Sequence, residues 1–234
     1  MQRLDKILSE AGVASRRELK SIIKAGHIRV NGELVTAPEA KFDEKTAEIV
    51  FDGAAVSTRK PVVFLLHKPR GYVTSTEERG EQTVMELLPE DLKKSGAMPV
   101  GRLDKDTEGL LLFTNDGQLA HRLIAPKSAV WKRYYAEHEG TASAQDAAAF
   151  EEGITLADGT KCLPAKLEVL KDGACIVSVQ EGKYHQVRRM LASRGLPVTY
   201  LKRISVGELT LGELPVGQIR LLSVEEVLQK TGLL

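Results

Sequence analysis

The segment GRLDKDTEG, from Gly101 to Gly109, crowds Arg102, Asp104, Lys105, Asp106 and Glu108 into a polar stretch between apolar ones. Loops of this kind, carried on a rigid scaffold, are where reactive side chains commonly sit. Taken by residue type, the segment has two readings. It is a solvated turn with an ordinary capping aspartate, or a source of paired carboxylates, since Asp104, Asp106 and Glu108 could supply the acid and base of opposed pKa that a glycosidase needs. A second concentration of charge lies later in the chain, where residues 182–203 hold six lysines and arginines and no acidic residue.

Other chemistries find less support. Cys162 and Cys175 lie thirteen apart with no CxxC pair and no histidine at ligand spacing, so they read as core residues rather than a disulfide or zinc site. His67, His121 and His138 show no mutual spacing that suggests a metal, and His185 reads as a structural hydrogen bonder first and an RNA contact second. Trp131, the single tryptophan, is expected at a sheet edge. Neither metal nor cofactor is called for.

The elements that must position these groups follow from periodicity. Leu4, Ile7, Leu8 and Ala11 fall on one face of a short helix. Ser15 and Glu18 form a capping box for a second, with Leu19, Ile22 and Ile23 inward and Gly26 at its end. Arg16, Arg17, Lys20 and Lys24 share the opposite face. HIRVNGELV then alternates about Asn31-Gly32, the preferred pair for a type I′ hairpin turn. Further on, PVVFLLHK, Leu110–Phe113, WKRYYAEHEG, AKLEVL and ACIVSVQ around Asp172-Gly173, Val198–Val206 and IRLLS read as strands. Helices are expected near Val84–Leu88, from Asp116 through His121, over Ser143–Phe150, across EGKYHQVRRMLASRG and from Val224.

Strands interleaved with a few helices on short connections predict an α+β domain with a central, mainly antiparallel sheet, preceded by a small basic module. The boundaries are set at residues 1–51 for the module, 52–60 for a linker of small and charged residues, and 61–234 for the larger domain. A formal charge of +1 conceals segregation: residues 1–31 hold seven lysines and arginines against three acids, whereas residues 32–60 hold four against six. Such segregation points to polyanion contact at defined surfaces. With 42% hydrophobic and 28% charged residues, no run of 18 apolar residues and no apolar stretch after the N-terminal basic residues, a cytoplasmic protein without membrane association is expected.

RLDKILSEAGVASRRELKSIIKAGHIRVNGELV resembles the S4-like RNA-binding domain over roughly residues 2–48. GRLDKDTEGLLLFTNDGQLAHRL resembles the catalytic motif of the RsuA-type pseudouridine synthases, and KPRGY, KRYYAEHEG and EGKYHQVRRM agree with that family in order and spacing. Four motifs in the right order make a stronger signal than any one. The resemblance implies an N-terminal module that lays Arg3, Arg16, Arg17, Lys20, Lys24 and Arg29 against RNA phosphates, contributing affinity more than sequence choice.

The resemblance also implies roles in the larger domain. Asp104 is the nucleophile, Arg102 fills the space left by the flipped uridine, Tyr134 is the floor against the base and Arg188 pairs with Asp104. Alternation leaves Tyr135 for the other face of its strand, and adjacency on a helix leaves Arg189 as the competitor of Arg188. The implied partner is ribosomal RNA, most simply small-subunit 16S rRNA in a pre-ribosomal particle, acted on by a monomer. A large-subunit 23S rRNA synthase and a noncatalytic RNA-binding or assembly factor are the alternatives.

Overall fold

The computed structural model describes residues 1–44, 46–56, 61–171 and 173–234, which group into two compact units, Met1–Pro61 and Val62–Leu234. In the first unit, helices span Leu4–Glu10 and Arg16–Lys24. Ser15 and Glu18 close the capping box reciprocally, each side chain bonded to the other's backbone amide. Leu4, Ile7, Leu8, Leu19 and Ile23 pack on Ile28, Val30 and Ile49. The Asn31-Gly32 turn has φ of 52° and 85°, the positive pair that a type I′ hairpin requires. It joins Ile28–Val30 to Glu33–Leu34 in a sheet that continues with Ile49–Phe51 and Ala54–Val56.

That last strand corrects the placement of a linker at 52–60. Asp52 and Gly53 supply two further positive-φ positions, so the chain turns back and Ala54–Val56 pairs with Ile49–Phe51. Small residues with little periodicity hid a two-residue hairpin. Residues 57–60 of the expected linker lie outside the described residues, as does Asp172 of the Asp172-Gly173 turn.

The second unit is built on one large sheet. Its strand order is Lys166–Val169, Ala174–Val179, Lys132–His138, Val198–Val206, Glu108–Thr114, Val63–Lys68 and Ile219–Leu222, with Met98–Val100 and Leu209–Thr210 paired off this path. Pairing is antiparallel except between Val198–Val206 and Glu108–Thr114, which meet in parallel at Lys202 with Glu108 and Arg203 with Gly109. The sheet is therefore mainly antiparallel, as expected.

Period-two alternation decides what each face buries. Val63 and Leu65 join the cluster with Leu110, Leu112 and Leu123, whereas Phe64 and Leu66 point into the cluster of Val84, Leu111 and Phe113. Phe64 and Phe113 stack with centroids 4.9 Å apart. A third cluster, around Phe150, Val177, Met190, Leu191 and Leu201, seats the helices Ala144–Glu152 and Gln186–Ala192. Cys162 and Cys175 are buried free thiols in this cluster, and burial pushes the Cys175 thiol up to about 11. Among the described residues no helix is long and apolar enough to cross a membrane.

Candidate active site

The loop before the central strand Glu108–Thr114 is held from beneath by the KPRGY turn. Lys68, fully buried, directs its ammonium at the carbonyls of Asp104 at 3.2 Å, Lys105 at 3.3 Å, Thr107 at 2.9 Å and Pro69 at 3.0 Å. Gly71 N–H donates to the Lys105 carbonyl at 2.9 Å. Thr74 fixes the other side, its hydroxyl donating to the Leu103 carbonyl at 2.7 Å and accepting from the Leu103 amide at 3.1 Å. Burial brings the Lys68 amino group down to about 8, with the Asp104 and Asp106 carboxylates acting the other way. Two motifs far apart in sequence thus make one rigid support.

On that support the Asp104 side chain is about one-third exposed. Arg188 Nε stands 3.9 Å from its Oδ2 and His185 Nε2 stands 3.6 Å from its Oδ1. Arg188 also reaches the Asp106 carbonyl at 3.3 Å and the Val198 carbonyl at 3.5 Å. Arg189, on another helix face, pairs instead with Asp158 at 2.6 Å. His185 precedes the helix Gln186–Ala192 in the left-handed region with φ of 46°, its ring stacked on Tyr184 at 3.9 Å between centroids. Such a backbone conformation in a non-glycine residue is uncommon and tends to accompany function.

A cleft of about 860 Å³ opens beside this group, lined by Arg102, Asp104, Tyr134, His185, Lys132 and Arg203 among others. Tyr134 and Tyr135 divide as alternation requires. Tyr134 lines the cleft, and its hydroxyl accepts from Arg203 Nη1 at 3.4 Å. Tyr135 instead meets Tyr200 edge-on at 6.2 Å and donates to Glu137 at 3.2 Å. Arg102 lines the cleft, is exposed and makes no hydrogen bond or ion pair among the described residues.

The paired-carboxylate reading does not survive this geometry. Glu108 is tied to His67 at 3.0 Å and Lys202 at 2.9 Å and does not line the cleft. Burial raises its carboxyl, but hydrogen bonds from Lys202 and His67 outweigh that and hold it below the usual range. Asp106 does not line the cleft either. One carboxylate approached by an arginine and a histidine, in a cleft that an aromatic ring also lines, suits nucleophilic chemistry on an extruded base.

Residues 62–193 match the family described as RNA pseudouridylate synthase, and residues 2–46 match the S4 domain. The chain belongs to the RNA pseudouridine synthase family. A "Ribosomal large subunit pseudouridine synthase B" from Bacillus subtilis is 38% identical over 97% of this chain and 94% of its own length. A "Ribosomal small subunit pseudouridine synthase A" from Vibrio cholerae is 37% identical over 96% of this chain and 97% of its own length. A crystal structure of a pseudouridylate synthase superposes with a TM-score of 0.69 at 33% identity, covering 98% of this chain and all of the other. The synthase therefore has an S4 domain followed by a catalytic domain of pseudouridine synthase fold.

Sequence reasoning about the synthase gave no catalytic role to four groups at the site, two of which, Lys68 and Lys132, lie in its motifs. His185, read from sequence as a structural hydrogen bonder or an RNA contact, approaches Asp104 as closely as Arg188 does. Lys68 carried a signal as the cation that ends a mostly apolar strand, Lys132 as the lysine two residues before Tyr134 in KRYYAEHEG, and Arg203 as part of the run of basic residues without acids. Trp131 packs under Lys166, whose ammonium lies 5.1 Å from the ring centroid.

In the S4 unit the six basic residues divide into two sets. Arg3 and Arg16 reach the buried Asp5 carboxylate at 2.8 and 3.5 Å, and Arg29 donates to the Gly32 carbonyl of the hairpin at 3.1 Å. The Arg3 hydrogen bond holds Asp5 well below the usual carboxylate range against its burial. Arg17, Lys20 and Lys24 are exposed and make no ion pair among the described residues.

Proposed function

We propose that this chain isomerises uridine to pseudouridine in ribosomal RNA with Asp104 as its nucleophile. The observation that carries this reading is the Asp104 carboxylate, held between Arg188 and His185 at the head of the cleft that Tyr134 lines. The Arg188 guanidinium and the His185 ring both approach the carboxylate, which orients it for attack as a nucleophile. Tyr134 is the floor on which the detached uracil rests, and Arg102, without a hydrogen bond or ion pair among the described residues, enters the space in the RNA that the flipped nucleotide vacates. No redox change occurs, since the base leaves through nitrogen and returns through carbon.

The S4 domain grips structured RNA through the Arg17, Lys20 and Lys24 face, while Arg3, Arg16 and Arg29 contribute through their remaining N–H groups. The proposed target is small-subunit 16S rRNA, by the form of the GRLDKDTEG loop, in a pre-ribosomal particle, with the enzyme a cytoplasmic monomer. Relatives named for the two subunits are almost equally similar, so mapping pseudouridines in both rRNAs from cells with and without this chain decides the target.

The nucleophile is tested by Asp104→Asn, which keeps size and removes charge. Folding and RNA affinity should survive while turnover falls by at least ~10⁴-fold. Asp106→Asn and Asp116→Asn should keep most activity; Asp116 caps the helix Gly117–Ile124 and lies outside the cleft. Substantial turnover in Asp104→Asn, or equal collapse in Asp106→Asn, rejects the assignment.

A further inference from the structure

Two cations that line the cleft have no carboxylate partner among the described residues. Lys132 is only 9% exposed, and its ammonium donates to a single acceptor, the Gln180 carbonyl at 3.1 Å. Arg203 is 5% exposed, with Nε on the Leu110 carbonyl at 2.7 Å and Nη1 at the Tyr134 hydroxyl. Their nearest charged neighbours are committed elsewhere. Glu181, beside Gln180, is taken up by Lys183 at 2.5 Å, Gln186 at 2.8 Å and the Leu163 amide at 2.9 Å. Asp104 is faced by His185 and Arg188, and His121 lines the cleft from the helix Gly117–Ile124.

This arrangement works against stability. Burial brings the Lys132 amino group down to about 8, and the positive charge of Arg203 acts in the same direction. The strand position itself asks for no charge, because Lys132 lies in register between Val179 and Val206. Buried charges exchanged for apolar side chains of similar volume often leave stability unchanged or raised. Cations kept under such repulsion beside an open cavity mark a site that receives negative charge.

The reaction generates that charge at a predictable place. If the Asp104 carboxylate bonds to ribose C1′, the C1′–N1 pair leaves with uracil and spreads over O2 and O4. If it bonds to uracil C6 instead, the C5=C6 pair moves through C4 onto O4, and the C1′–N1 bond then breaks with its pair left on N1. Either way C5 finally gives its pair to C1′, the carboxylate is released, the C5 hydrogen departs as a proton and N1 takes one up. O4 carries negative charge in both routes.

We propose that Lys132 and Arg203 are further catalytic residues, forming a cationic seat for uracil O4 that holds the negative charge of the base while its bond to ribose changes from nitrogen to carbon. The seat rests on the Asp104 reading above. Preorganised donors of this kind in a water-poor site act mainly in the transition state, so their removal lowers kcat more than it weakens RNA binding.

The test uses ribosomal RNA from cells lacking this chain, labelled with tritium at uracil C5, so that each turnover releases tritium to water. Lys132→Met should lower kcat by about 10²- to 10³-fold. RNA affinity should be unchanged, and the melting temperature unchanged or raised, whereas a merely structural lysine would lower it. The parent kcat/KM should fall as pH rises past about 8, where Lys132 and Lys68 both lose their protons, and Lys132→Arg should lessen that fall while restoring activity over Lys132→Met. Should the arginine prove too large to turn over, methylammonium should rescue Lys132→Ala. A Lys132→Met kcat within about threefold of the parent overturns the seat. So does a Lys132→Ala that no ammonium ion rescues. Asp104→Asn measured on the same RNA separates the two readings: turnover there rejects the nucleophile, whereas loss there with an active Lys132→Met rejects only the seat.

Discussion

A Cβ on Gly109 would stand 2.3 Å from the carbonyl oxygen of Arg203 and 2.5 Å from its amide nitrogen. Gly109 also has φ of 123°, where side chains are strained whatever the space. The parallel junction that joins Glu108–Thr114, the strand after the Asp104 loop, to the strand of Arg203 therefore admits only glycine at this point. Gly109→Ala should be destabilised by about 4 kcal/mol or more, the range reached when backbone must move. Gly117→Ala, at the exposed first position of the helix Gly117–Ile124 with nothing within 4 Å of the added carbon, should be neutral or gain up to about 1 kcal/mol. Thermal or urea unfolding of the two variants checks this; a Gly109→Ala protein as stable as the parent would mean that the junction slides apart at little cost.

Lys68 should matter to activity without touching substrate. Lys68→Met takes away the donor shared by the Asp104, Lys105, Thr107 and Pro69 carbonyls, and each orphaned buried acceptor costs about 1–3 kcal/mol. A lower unfolding midpoint, a kcat reduced by misplacement of Asp104, and RNA affinity close to the parent are expected. An unchanged midpoint with normal turnover would show that Gly71 and Thr74 hold the loop unaided.

Reversal of Lys20 and Lys24 to Glu should weaken binding to structured ribosomal RNA and reduce the slope of log K against log salt by about two, since each lost phosphate contact contributes close to one. The two side chains lie on the helix Arg16–Lys24 away from its buried Leu19 and Ile23, so folding of the unit should be unaffected. A filter-binding series across salt concentrations decides it, and an unaltered slope assigns this face to solvent.

Local signals were sufficient for most elements. The Ser15 and Glu18 capping box, the Asn31-Gly32 turn, the Asp116 and Ser143 caps and the alternation of Tyr134 with Tyr135 depend on neighbours a few residues away, and each is where the sequence indicated. The hairpin at Asp52-Gly53 escaped because small residues carry almost no periodicity, even though the dipeptide itself favours the turn. The order of four motifs along the chain indicated the family.

What each charged group faces was decided only by the tertiary structure. Asp104, Asp106 and Glu108 are equivalent in composition, yet a strand register sends Glu108 to His67 and Lys202, while the turn at Gly71 and the buried Lys68 leave Asp104 at the cleft. His185 and Arg188 come upon Asp104 from a segment some eighty positions later. Arg203 and Lys132 become neighbours through strand pairing across the sheet. Local propensity acts over a few residues and so fixes caps, turns and faces. Desolvation and Coulomb interactions act through space, and the partners that set them are known only once the sheet has assembled.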